Sequence, residues 1–222
     1  MIPRVLLDTA PIPGGGELKL FRRGDEYSIM LGANELMNSR KSGSEEALAA
    51  LGCAPIRACQ GARVLIGGLG MGFTLRAALA ELAADAEVVV AELVPGVVAW
   101  ARGPMAALHG ASLSDPRVQL LEADVAEPIA EARGAWDAIL LDVDNGPDGI
   151  TAEDNDALYG RRGLASARRA LRPGGVLALW SAASDDAFAA RLARAGFAVE
   201  EHVARAAGGR GGRHIIWVAR AG

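Results

Sequence analysis

The sequence predicts an α/β fold in which a doubly wound, mostly parallel sheet carries helices on both faces, preceded by a small β-hairpin region. Two observations predict it. From Arg63 onward, short apolar, β-rich runs alternate with helical patterns, the sign of successive βαβ units. The first of those runs, Val64-Leu65-Ile66, passes directly into a glycine turn, Gly67-Gly68-Leu69-Gly70-Met71-Gly72, ahead of a helix. A length of 222 residues is enough for one main core without splitting.

The elements follow in order. Residues 1–41 form the hairpin region: Glu17-Leu18-Lys19-Leu20-Phe21 alternates, Arg23-Gly24-Asp25 supplies turn residues, and Tyr27-Ser28-Ile29-Met30-Leu31 resumes the alternation before Gly32 and Asn34 turn the chain again. Residues 42–222 form the second unit. It opens on Ser42-Gly43-Ser44 followed by Glu45 and Glu46, the polar start of a helix that should run to about Leu51 and end at Gly52. The parallel strands are Arg63–Ile66, Glu87–Ala91, Val118–Leu121, Trp136–Leu141 and Gly175–Trp180, with helices from Phe73 to about Ala84 and from Pro95 to about Leu108. A helix over Asp185–Ala195 leads to strands Phe197–Glu200 and His214–Val218, which should pair antiparallel across the glycine-rich turn Gly208–Gly212.

Composition narrows the function classes. A net charge of −4 offers no basic face for nucleic acid or an anionic membrane, and favours a cationic small molecule instead. The opening MIPRVLLDTAPIPGGG is too short and too soon broken by proline for a signal peptide or a membrane span, so the cytoplasm is the expected location. Cys53 and Cys59 match no zinc or redox spacing and are read as structural thiols, and the scattered His109, His202 and His214 give no metal site. The segment Arg205–Arg213 has an RGG look, but it lies between two expected strands and reads as a hairpin loop. Trp100 and Trp180 read as core residues.

Chemistry concentrates at the carboxyl ends of the strands, where open α/β sheets bind ligands. Gly68, Gly70 and Gly72 let the main chain approach a cofactor closely; the alternative is a purely structural tight turn. Phe73 stands where a dinucleotide fingerprint needs glycine, and no GK[ST] follows, which disfavours pyrophosphate. Glu92 closes the second strand at the position of a ribose-binding acid, against the alternative of a solvated carboxylate. Asp124 closes the third strand, suited to an adenine amine with the Val125 N–H at the ring edge, or else to capping the next segment. Asp142 ends the fourth strand and is followed by Asp144 and Asn145 in a loop rich in glycine and proline, which marks the reacting centre.

Taken together, VLIGGLGMGFTLRAAL, AELVPGVVAWAR, DPRVQLLEADV and WDAILLDVDNGPDG resemble the spermidine-synthase-like branch of the class I methyltransferase fold. The likeness extends over nearly the whole chain through ELMNSRKSGSEEALA and LYGRRGLASARRALRPGGVLALWSA. It implies a seven-stranded sheet ordered 3-2-1-4-5-7-6 with the last strand antiparallel, and binding of S-adenosylmethionine or its decarboxylated form with no metal. It also implies a small amine acceptor and a homodimer paired through the N-terminal region. In that family an amine attacks the aminopropyl carbon beside the sulfonium, and carboxylates bind the amine and take its proton.

Two departures bear on the acceptor. Against the family motif D-[ST]-S-D-P, Asp142 matches the first acid and Asn145 falls on the catalytic aspartate, with Asp144 as the neighbouring candidate base. Ser44 replaces the tyrosine of Y-x-E while Glu46 keeps its acid, and Glu35 replaces a glutamine. Tyr159 is a phenol for the site or a core residue. The expected acidic mouth comprises Glu35, Glu46, Asp142, Asp144 and Asp148. Three activities fit: aminopropyl transfer to an amine, methyl transfer from the intact sulfonium, or nucleotide binding without catalysis.

Overall fold

Eleven strands and seven α-helices are described in the computed structural model of the chain, which covers residues 2–143, 158–207 and 210–222. The N-terminal region is a four-stranded antiparallel meander, β1 (Val5–Pro11), β2 (Glu17–Arg23), β3 (Glu26–Leu31) and β4 (Asn34–Asn38). The expected hairpin is its centre, β2 and β3, turning at Gly24 with φ of 59°. The outer strands are additions. A register shift interrupts each outer pairing, between Leu6 and Asp8 in β1 and between Ile29 and Met30 in β3, so neither outer strand keeps a clean alternation for a reader to detect.

Helix α1 (Gly43–Cys53) follows, and then β5 (Arg63–Gly67), α2 (Phe73–Glu81), β6 (Glu87–Glu92), α3 (Pro95–Arg102), α4 (Ala106–His109), β7 (Val118–Glu122), α5 (Ala126–Glu131) and β8 (Trp136–Leu141). The last third holds α6 (Arg161–Ala170), β9 (Leu171–Ser181), α7 (Asp186–Arg194), β10 (Phe197–Ala207) and β11 (Arg210–Ala221). The main sheet is ordered β10-β11-β9-β8-β5-β6-β7, with β11 antiparallel to both its neighbours and the other pairings parallel. Renumbered from β5 and read from the β7 edge, this is the order 3-2-1-4-5-7-6.

Period-two alternation divides the core into two clusters, one on each face of the sheet. Val64, Ile66, Ala138, Leu140, Val176, Ala178, Ile216 and Val218 face α1, α2 and α3. Leu65, Ile139, Leu141, Leu177, Leu179, Ile215 and Trp217 face the other layer, with Tyr159 and Phe188. The N-terminal sheet joins the first cluster through Ala10, Leu18, Leu20 and Ile29, and the Trp100 indole donates to Asp8 across that contact at 2.7 Å.

Several expected boundaries move: the loop expected over Arg205–Arg213 is mostly strand, with Arg205 paired to Arg213, and two helix boundaries shift as well. Gly52 does not end α1 but lies inside it, because a Cβ there would stand 2.3 Å from Leu140 Cδ2 and 3.0 Å from Ala178 Cβ. It is a packing glycine that lets the helix settle on the sheet. The helix expected over Pro95 to Leu108 is two helices, broken where Pro104 lacks an N–H and pushes Gly103 out of the helical region, to φ −110°, ψ −110°.

Candidate active site

The glycine turn after β5 is held from two sides. Gly68 has φ of 89° and Gly72 of 75°, both left-handed. A Cβ on Gly68 would stand 2.4 Å from the Asp142 carbonyl, and one on Gly72 would stand 2.4 Å from His109 Nδ1. Gly70, at φ 48°, lies under Met37 of β4, whose Sδ would be 3.0 Å from an added Cβ. The turn is thus threaded between the β8 strand end, the end of α4 and the N-terminal sheet.

Glu92 is buried at the end of β6 and organises this turn. Its Oε2 accepts from the Leu69 N–H at 2.9 Å and its Oε1 from the Val94 N–H at 2.9 Å. One carboxylate therefore joins the glycine turn to the β6–α3 connection, and two main-chain donors that would otherwise be buried unpaired are satisfied. Val125 is buried behind Gly67, its Cγ2 3.0 Å from where a Cβ would stand. Asp124 is exposed and accepts from the Ala126 N–H at 2.8 Å, so the bond its side chain makes is that of a cap on the next turn.

Asp142 stands where β8 leaves the sheet, on the α1 and α2 face. Its Oδ2 accepts from Thr74 Oγ1, in the first turn of α2, at 2.6 Å. Burial, with the Glu45 charge adding to it, lifts its carboxyl to about 7, although the Thr74 hydroxyl works in the opposite direction. Glu45 comes from the first turn of α1 and accepts from Ser44 Oγ at 2.7 Å. The Glu45 charge thus acts on Asp142 from a distant segment of the chain, at the carboxyl edge of the sheet.

That arrangement differs from the expected acidic mouth. It is Glu45 and not Glu46 that acts on Asp142; Glu46 is exposed on the outer side of α1, since neighbouring helix positions do not share a face. Glu35 is engaged elsewhere, accepting from Asn38 Nδ2 at 2.9 Å and lying 3.8 Å from the Arg40 guanidinium, in a surface group with Arg4, Glu26 and Ser28. The shift in β3–β4 register sets it opposite Met30. Tyr159 is a core residue: it is 2% exposed, meets Phe188 edge-on at 6.0 Å between ring centroids, and donates to the Val143 carbonyl at 3.4 Å. Asp144, Asn145 and Asp148 lie outside the described residues.

Three residues read as bland have sharper surroundings. His109 is 1% exposed and not at the surface; burial and the nearby Arg76 charge hold its imidazole down at about 4, neutral at physiological pH. Trp180 and His214 form a tilted stack with centroids 4.7 Å apart, on the same sheet face as Asp142. Face parity is the signal that finds them: Leu141 pairs with Leu179 and Ile216 with Trp180, so Asp142, Trp180 and His214 all fall on the α1 side. Among the described residues, no group of three or more His, Cys, Asp or Glu is placed to hold a metal ion, and no helix is long and apolar enough to cross a membrane.

No family model matches the chain, and no curated protein matches it. Solved structures do. Spermidine synthase from Thermotoga maritima is similar with a TM-score of 0.76 and 17% identity, over 98% of this chain and 72% of that one. A spermidine synthase in complex with the transition state analogue AdoDATO gives a TM-score of 0.75 and 18% identity, over 98% and 72%. A probable spermidine synthase from Corynebacterium glutamicum ATCC 13032 gives 0.66 and 18%, over 97% and 79%. At these identities the likeness speaks for the fold, and over almost its whole length the chain has the fold of these spermidine synthases, a class I methyltransferase-like sheet behind a small antiparallel one.

Proposed function

We propose that the chain is a transferase that moves an aminopropyl group from decarboxylated S-adenosylmethionine to the amine of a small acceptor. The observation that carries this reading is Asp142, lifted to about 7 beside Glu45 and adjoining the glycine turn. An amine is protonated at neutral pH and cannot attack until it loses a proton. A carboxylate near 7 is a far better base than an ordinary one, and a second acid beside it stabilises the ammonium before transfer. The sulfonium substrate supplies the leaving thioether. Asp142 takes the amine's proton, Thr74 orients the carboxylate that does so, and Glu45 keeps the local field negative. Asp144 and Asn145, next along the chain, belong to the same proposed centre.

On the nucleoside side, Gly68, Gly70 and Gly72 form the proposed cradle, Glu92 the sugar contact, and Asp124 with Val125 the adenine contact. The residues present suit such a group: a buried acid at the second strand end and a glycine turn at the first are what nucleosides use in doubly wound folds. A soluble cytoplasmic homodimer paired through the N-terminal sheet completes the reading, supported by edge strand β1, where Val5 and Leu6 are 48% and 49% exposed.

Calorimetry with intact S-adenosylmethionine, its decarboxylated form and the two thioether products, followed by turnover with an amine, tests the proposal. The expected result is tightest binding of the decarboxylated form with transfer to the amine. Preference for the intact form with methylation of the acceptor overturns aminopropyl transfer, and equal binding of both forms without turnover of any amine overturns catalysis altogether.

A further inference from the structure

We propose that His109 is a positioning residue of the site: by filling the space beside Gly72 it seats the first turn of α2, and through Thr74 in that turn it holds the Asp142 carboxylate in place. The inference rests on the transfer reading above for what Asp142 does, whereas the contact itself belongs to the packing of the chain.

The break at Gly103-Pro104 sets off the short helix α4, whose last residue is His109. Its buried imidazole lies where a side chain on Gly72 would begin: a Cβ there would stand 2.4 Å from Nδ1, 2.7 Å from Cε1 and 3.3 Å from Cγ. Both partners are tied down. The Arg76 guanidinium, from α2, donates to the Leu108 carbonyl, and Ser112 Oγ donates to the His109 carbonyl at 2.7 Å. Gly72 caps α2 at φ 75°, ψ 15°, and its carbonyl accepts from the Arg76 main-chain N–H at 3.0 Å. In the same turn the buried Thr74 donates to Asp142 Oδ2 at 2.6 Å. Close-packed interiors transmit displacements, so moving Gly72 moves Thr74 against Asp142.

Charge is not the route. Burial and the Arg76 guanidinium keep the imidazole neutral at physiological pH, so removing it takes no charge away from Asp142, and Glu45 and Arg76 stay where they are. The Thr74 hydroxyl draws the Asp142 carboxyl down, against burial and the Glu45 charge. Loosening that hydrogen bond therefore raises the carboxyl, whereas water entering a hollow left by His109 would relieve burial and lower it. The direction of the shift reports which of the two happens.

The test reads His109→Ala against Thr74→Val and the double variant. Followed by NMR titration, the Asp142 carboxyl should titrate higher by a fraction of a pH unit in His109→Ala, and no higher in the double variant than in Thr74→Val alone. With decarboxylated S-adenosylmethionine and an amine, the acid limb of the pH–rate profile should move toward alkaline pH and kcat should fall by about tenfold, with KM for the amine little changed. An Asp142 titration at its parent value or shifted toward acid overturns the proposal, as do effects of the two substitutions that add in full. Should His109→Ala not fold, His109→Asn, whose shorter side chain draws back from Gly72, is held to the same criteria. Thermal unfolding checks the contact itself: Gly72→Ala should lower the melting temperature less in the His109→Ala background than in the parent, and equal losses overturn it. If the parent transfers nothing to any amine, the transfer reading fails on its own, and the Asp142 titration still decides the role of His109.

Discussion

The two halves of the proposed site are built in different ways. On the nucleoside side, the turn after β5 and the acid ending β6 are joined by one short crossover, and Glu92 reaches back to bond Leu69 directly. On the proposed acceptor side, Glu45 and Asp142 come from α1 and the end of β8, two separate segments brought together by strand order and by which face each side chain takes. The first kind of site is carried by local motif. The second exists only once the sheet has formed, so its residue types can change without leaving a recognisable motif in the sequence.

Replacing Asp142 with asparagine gives the largest expected effect and tests the acceptor half alone. Turnover should fall by about 10²–10⁴-fold through loss of the base, while nucleoside affinity changes little. Stability should move the other way. The folded carboxyl binds its proton more tightly than the unfolded one, so the stabilisation this confers is complete below the unfolded value of 3.8 and is lost as pH rises through about 7. Asp142→Asn should accordingly be more stable than the parent at alkaline pH, by on the order of 1–2 kcal/mol, and the gap should close in acid. Thermal unfolding at several pH values checks this; a variant no more stable at alkaline pH would show that burial does not strain Asp142.

Glu92→Ala is the counterpart on the nucleoside half. It leaves the Leu69 and Val94 N–H groups without their buried acceptor, so about 2–4 kcal/mol of stability should go, and nucleoside affinity should fall by tenfold or more. Glu92→Gln keeps one acceptor oxygen and should lose less of both. If Glu92→Ala unfolds like the parent, the carboxylate does not hold the turn, and the contrast between a locally braced half and an assembled half disappears.

How much could be read beforehand follows the same division. The strands and the glycine turn were legible because β-rich runs and turn residues are short-range signals, whereas the strand order came from the family resemblance and not from any local pattern. Glu35 and Glu46 were assigned to the mouth by the resemblance of their segments to family motifs. A register shift between β3 and β4 sends Glu35 to an arginine cluster, and helical geometry turns Glu45, not Glu46, toward the sheet. Tyr159 was open between site and core, and it lies buried against Phe188. Trp180 and His214 looked ordinary because their meeting depends on β9 pairing with a strand more than thirty residues later in the chain. Gly52 misled for a related reason: glycine marks a helix end in a local reading, but here it answers to Leu140 and Ala178 beneath it.

The smallest expected effect is the most discriminating, because it separates adjacent glutamates. Glu45→Gln removes a negative charge that favours the protonated form of Asp142, so the Asp142 carboxyl should titrate lower and the acid limb of the pH–rate profile should move toward acid by a fraction of a pH unit. Turnover below about pH 7 should then rise relative to its plateau, even though the amine loses one of its two acids and KM increases. Glu46→Gln, one residue away on the solvent side of α1, should leave the profile where it was. A shift with Glu46→Gln and none with Glu45→Gln would mean that α1 presents its other face to the sheet, and the acceptor site would have to be rebuilt around the glutamate that the family resemblance preferred.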